Sequence, residues 1–139
     1  RYELEKQLLD GTLKTSDIPN FWNQHYKKYL GVDVTNDKQG CLQDIHWSHG
    51  SFGYFPTYSL GSFYAAQFFN AASKQIHSIK DRVNPESTQA LLTWLRDNIH
   101  KEGRMYESEP LCKKVTGEPL SIQYFLDHVL DKYKKVYNF

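Results

Sequence analysis

Apolar residues along this chain recur at intervals of three and four, and the rhythm breaks where glycine or proline stands. Tyr2, Leu4, Leu8 and Leu9 predict a first helix. It closes at Gly11, where a left-handed C-cap glycine is expected. Thr15-Ser16-Asp17-Ile18-Pro19 is a start signal, with Ser16 or Asp17 as N-cap and Pro19 in the first turn. The helix it opens carries Phe21, Trp22, Tyr26, Tyr29 and Leu30 and stops at Gly31; residues 31–40 are polar and turn-rich, a surface loop.

Pro56 opens the longest helix, expected to run to about Ile79 with Thr57 and Tyr58 in its first turn. Leu60, Phe63, Tyr64, Phe68 and Phe69 give it a wide apolar surface that calls for burial on more than one side. Gly61 and Ala65, four apart, leave a notch where a neighbouring helix can approach. Asn84-Pro85 begins the next helix, with Leu91, Leu92, Trp94 and Leu95 inward and Gly103 at its end. A short helical turn around Leu111 to Val115 ends at Gly117, and Ser121 begins a last helix whose Tyr124, Phe125, Val129, Leu130 and Tyr133 keep helical spacing. No stretch alternates as a strand does, and there is no internal repeat. The expectation is an all-α domain over residues 1–139, its helices joined by short loops, with one irregular segment at about 40–56. The chain opens on Arg1, without Met and without a cap ahead of its first helix, so it reads as part of a longer chain.

Composition narrows the class. With 40% hydrophobic and 24% charged residues over 139 positions, the chain can build a core and does not read as disordered. A net charge of +1 with interspersed signs gives no footprint for nucleic acid or a membrane surface, and no apolar run nears the ~20 residues of a membrane helix. Cys41 and Cys112 make no disulfide framework, which favours a reduced, intracellular chain. Ten Tyr, eight Phe and three Trp must be packed densely or shown to a cleft or partner.

Candidate chemistry gathers in the irregular segment, which places Gln43, Asp44, His46, Trp47, His49 and Tyr54 beside glycines. His46 and His49 with Asp44 form at most an incomplete metal site, and hydrogen-bonded loop histidines are the better reading. His25, His77, His100 and His128 stand isolated on helices. Ser48 and Ser51 lie in no nucleophile elbow, Cys41 forms no recognisable Cys-His pair, and no basic residue follows Gly50 and Gly53 to make a phosphate loop. What remains is Asp44 and His46, alternating along an extended segment. There a carboxylate can orient an imidazole toward a substrate carbonyl or a developing oxyanion. Tyr54 and Tyr58 are either phenolic donors to such an intermediate or core rings with capped hydroxyls.

Gly40-Cys41-Leu42-Gln43-Asp44-Ile45-His46-Trp47 fits the G-x-x-Q-D-x-H-W signature and resembles the carboxypeptidase Taq family. Residues 50–58, Arg1-Tyr2-Glu3-Leu4-Glu5, Tyr29-Leu30-Gly31 and Thr116-Gly117-Glu118-Pro119 resemble it too, so the likeness spans essentially the whole chain. It implies a mostly helical, cytoplasmic, usually homodimeric metallocarboxypeptidase that removes single residues from peptide C-termini. The family holds zinc, or sometimes cobalt, on an H-E-x-x-H helix and one further glutamate, the helix Glu acting as general base. This sequence has no H-E-x-x-H, since none of its six histidines is followed by another four positions later. The resemblance therefore implies the C-terminal helical portion of a catalytic domain, with the metal segment N-terminal to it. Alone, such a portion binds no catalytic metal and is inactive. Carried over by position, Gln43, Asp44, His46 and Trp47 line the groove opposite the metal helix. His46 contacts substrate, Asp44 orients it, and Tyr54 or Tyr58 donates to the oxyanion or the substrate carboxylate. The rival from another class is a non-catalytic helical interaction module that docks a partner through its aromatic faces.

Overall fold

A computed structural model describes residues 1–76, 79 and 83–138. The described residues are helical, with no strand among them. They divide into two compact units, Arg1–Ser59 and Leu60–Phe139.

The first unit holds α1 (Tyr2–Leu9), α2 (Ile18–Leu30), α3 (Ile45–Ser48) and the first residues of α4 (Pro56–Gln75). Leu4, Trp22 and Cys41 form its core, flanked by Leu8, Leu13, Ile18, Phe21, Tyr26, Val34 and Trp47. Trp22 stacks on Tyr26 with ring centroids 4.8 Å apart and takes the edge of Trp47 at 5.9 Å. Burying one such ring is worth about 4–6 kcal/mol of transfer free energy as an upper bound. α1 ends a residue or two before the expected glycine: Asp10 is the C-cap and Gly11 follows in the left-handed region. Asp17 does occupy the N-cap position of α2, but its side chain caps nothing. A 3-10 turn over Thr15–Asp17 precedes the helix, Asp17 N–H donates to Lys14 O, and Ser16 Oγ turns to Asp17 Oδ1.

Gly40, which opens the signature, is fixed by space. A Cβ there would lie 2.8 Å from Val34 Cγ1 and 3.3 Å from Asn36 O. The β-branched Val34 has little room to turn aside, so only glycine lets the 31–40 loop close on α2. Cys41–Gln43 then make a 3-10 turn and Ile45–Ser48 one helical turn. The segment is irregular as expected, but it is folded into short turns: Asp44 is extended between them and His46 is already within the helical turn.

The second unit contains the rest of α4 with α5 (Pro85–Asn98), α6 (Ser108–Thr116) and α7 (Gln123–Tyr137). Its core is Ala72, Ile79 and Trp94, packed by Phe68, Phe69, Ala71, Ile76, Leu91, Leu95, Ile99 and Val115. Gln67 is buried and ties the α6–α7 connection. Its Nε2 donates to Thr116 Oγ1 at 3.0 Å and to Pro119 O at 3.1 Å, while its Oε1 accepts from Ser121 N–H at 2.8 Å.

The structure corrects four further expectations. α4 ends at Gln75, short of Ile79, and His77 lies outside the described residues. Only Gln67 and Ala72 of α4 are fully buried, and the space beside Gly61 is empty, so no described helix uses that notch. α5 stops at Asn98, and a separate 3-10 turn over His100–Glu102 leads to Gly103. α6 is nine residues long, because Pro110 sits within its first turn, where a missing N–H breaks no helical bond. The glycines after α2 and α6, Gly31 and Gly117, are left-handed C-caps as their positions predict. Along α7, Leu126, Leu130, Tyr133 and Tyr137 form an exposed apolar stripe. No helix among the described residues is long and apolar enough to cross a membrane.

Candidate active site

Asp44 organises the signature. It is the N-cap of α3, and its Oδ1 accepts the backbone N–H of His46 at 2.7 Å and of Trp47 at 3.3 Å. The same oxygen lies 3.3 Å from His46 Nδ1. A cap places the residue two positions on over the capping carboxylate, so helix initiation and imidazole orientation are one event. The carboxylate is fully buried and a pure acceptor, so His46 Nδ1 carries the proton. Arg1 Nε stands 3.2 Å from Asp44 Oδ2 as an ion pair, although that oxygen receives no hydrogen bond of good geometry. The guanidinium also lies over the Phe55 ring, 4.1 Å from its centroid.

The far side of His46 faces two phenols. Nε2 is 3.4 Å from Tyr58 Oη, and the Tyr54 ring stacks on the imidazole with centroids 5.4 Å apart and 27° between planes. Tyr54 and Tyr58 meet edge to face at 5.4 Å, and both are about half exposed, which is unlike core rings. The result is an imidazole held from behind by a buried carboxylate, with two accessible phenols at its front. The phenols can donate hydrogen bonds to a carbonyl, a carboxylate or an oxyanion, and Nε2 joins them as a donor only when the ring carries both protons.

Not every candidate joins this array. The Gln43 side chain turns back to donate to Lys38 O and closes the preceding loop. Trp47 points the other way, into the core: its indole N–H donates to Glu5 Oε1 at 2.8 Å, and it stacks on Phe52. His49 Nδ1 meets Ser51 Oγ at 2.9 Å, so its ring and that of His46 aim their nitrogens at different partners. Cys41 is a buried free thiol, and burial, with the Asp37 carboxylate second, pushes its pKa up, which is the wrong direction for a nucleophile.

Sequence reasoning missed Glu5, which is 2% exposed. Besides Trp47 it accepts the N–H of Gly53 on Oε2 at 2.8 Å. The signal was there: Arg1, Leu4, Glu5 and Leu8 fall at i, i+3, i+4 and i+7, so a carboxylate sits on an apolar helix face.

Comparison with known proteins assigns this helical chain to the metallopeptidases. Residues 1–133 match the family model described as carboxypeptidase Taq (M32) metallopeptidase, and the chain belongs to that family. Thermostable carboxypeptidase 1 of Thermus thermophilus is 42% identical over 99% of this chain and 27% of its own length. Among solved structures, an M32 carboxypeptidase from Deinococcus radiodurans has a TM-score of 0.93 at 31% identity, covering 99% of this chain and 28% of that one. Metallocarboxypeptidase 1 of Trypanosoma cruzi gives 0.88 at 36% identity, covering 96% and 28%. The chain spans about 27% of the length of the curated relatives it matches. The family implies a metal. Among the described residues, however, no group of three or more His, Cys, Asp or Glu is placed to hold one, so these residues do not make up its site.

Proposed function

We propose that residues 1–139 are the C-terminal helical portion of a catalytic domain and form the substrate-facing wall of a metal-dependent carboxypeptidase that removes single residues from peptide C-termini. The observation that carries this reading is the Asp44–His46–Tyr58 array, with Tyr54 stacked on it and both phenols accessible. A metallopeptidase needs donors opposite its metal to take up charge as the carbonyl becomes tetrahedral. A carboxypeptidase also needs donors for the terminal carboxylate. His46, fixed by Asp44, contacts substrate and donates from Nε2 as the imidazolium; Tyr54 or Tyr58 donates the second hydrogen bond. Zinc or cobalt supplies Lewis acidity and an activated water when bound, on ligands outside this stretch of chain. Cytoplasmic location and a homodimer belong to the same proposal. A helical interaction module would give no reason for a buried carboxylate to hold an imidazole against two solvent-exposed tyrosines.

The test is His46→Ala in the full-length protein. Turnover of an unblocked peptide falls by about 10²–10³, the range for losing one preorganised donor, while bound metal stays at about one per chain. Loss of metal together with activity would place His46 among the ligands and sink its role as a substrate donor.

A further inference from the structure

α1 contributes one side chain to the site wall, and it reaches the wall indirectly. Glu5 is a carboxylate on an apolar helix face, next to Leu4 of the core, and it is almost fully buried. Its two oxygens are each engaged at 2.8 Å, one by the Trp47 indole and one by the Gly53 amide. These partners lie 42 and 48 residues away, at the two ends of one loop. Immediately outside that loop stand His46 on one side and Tyr54 on the other.

We propose that Glu5 is a positioning residue for this wall: its carboxylate clamps the 47–53 loop at both ends and so fixes where His46 stands against Tyr54 and Tyr58. The clamp stands on geometry alone, and its effect on turnover rests on the carboxypeptidase reading above. Three observations support it. The loop is a turn over residues 49–53, with Gly50 and Gly53 in left-handed conformations and short-range bonds such as Ser51 N–H to His46 O and Phe52 N–H to Gly50 O, and Glu5 joins its two ends. Gly53 has φ +77°, a conformation that L side chains rarely adopt, and this backbone presents its N–H to Glu5. The stack of Tyr54 on His46 brings together residues on opposite ends of the loop, so its spacing follows the distance between those ends.

The chemistry demands an ionised or at least doubly accepting group. Both partners are N–H donors, and a carboxylate offers two acceptor oxygens. An amide of the same shape offers one and sets an NH2 against the other donor. Glu5→Gln therefore breaks one arm of the clamp without changing side-chain volume.

The experiment uses the full-length protein with wild-type, Glu5→Gln, Trp47→Phe and the double variant. In Glu5→Gln, kcat/KM on an unblocked peptide falls about tenfold to a hundredfold, mainly through kcat, with metal content unchanged. Adding Trp47→Phe removes the donor that the Gln amide opposes, and part of the loss returns. In ¹⁵N-histidine-labelled protein the His46 ring signals shift in Glu5→Gln and move back in the double variant. Should Glu5→Gln not fold, Trp47→Phe alone removes one arm and shifts the same signals. Unchanged His46 signals and unchanged turnover per folded molecule, with only a lower melting temperature, would overturn the proposal and leave Glu5 a purely structural carboxylate. A wild-type protein without carboxypeptidase turnover sinks the functional reading instead, and the His46 signals still decide the clamp.

Discussion

Gly40 shows how a single missing methyl group fixes a loop. Gly40→Ala sets a Cβ against Val34 and the Asn36 carbonyl, and overpacking of this kind costs about 1–3 kcal/mol. Urea unfolding of the variant checks this, and a change under about 0.5 kcal/mol would show that the loop yields. The thiols give a second prediction at this scale. Burial is the main cause that raises both Cys41 and Cys112 above their ordinary value of 9.0. Near and above that value the unfolded chain releases thiol protons that the folded chain keeps. The stability they contribute is whole below pH 9 and is lost as pH rises toward the folded values. Tyr64 and Tyr124 are raised too, Tyr64 mainly by burial and Tyr124 mainly by its bond to Glu118, so they deepen the loss at still higher pH. Comparing wild-type and Cys112→Ala from about pH 7 to 9.5 should show a shallower decline in the variant. Identical slopes would mean the thiol stays protonated in both states.

Among the elements, the α6–α7 connection depends on one side chain. Gln67→Ala removes three hydrogen bonds and leaves a hole, which predicts a stability loss of about 2–4 kcal/mol in denaturant unfolding. A loss below about 1 kcal/mol would mean that water or a neighbour replaces the amide. Elements of this kind divide by how local their cause is. Both ends of α2, the start of α4 and the stop of α6 were legible because Pro19, Gly31, Pro56 and Gly117 act within a turn of their own position. The Asp44–His46 pair was legible as a pair but not as geometry: an N-cap, which looks like alternation over three residues, brings them together. Gln67 and Glu5 were not anticipated, since what licenses a buried amide or carboxylate is a set of hydrogen-bond partners about fifty residues further on. The loop turn of Gln43 was hidden for a related reason, its acceptor being a backbone carbonyl without a sequence signature.

For the molecule as a whole, the proposed function partitions the site along the chain: residues 1–139 would carry donors and orienting groups, and no ligand set appears among the described ones. Produced alone, this stretch is expected to retain no stoichiometric zinc after dialysis and to release no C-terminal residue from a peptide. Mass spectrometry and an amino-acid release assay check both, and one zinc per chain with turnover would refute the division of labour. The same stretch is equipped to report on itself optically. Trp22 and Trp47 lie edge to face in the first unit and Trp94 is buried in the second, so Trp94→Phe leaves emission from the first unit alone. Because the Trp47 indole is bonded to the Glu5 carboxylate, its fluorescence is a built-in gauge of the proposed clamp. Loosening that bond should change emission before either unit unfolds.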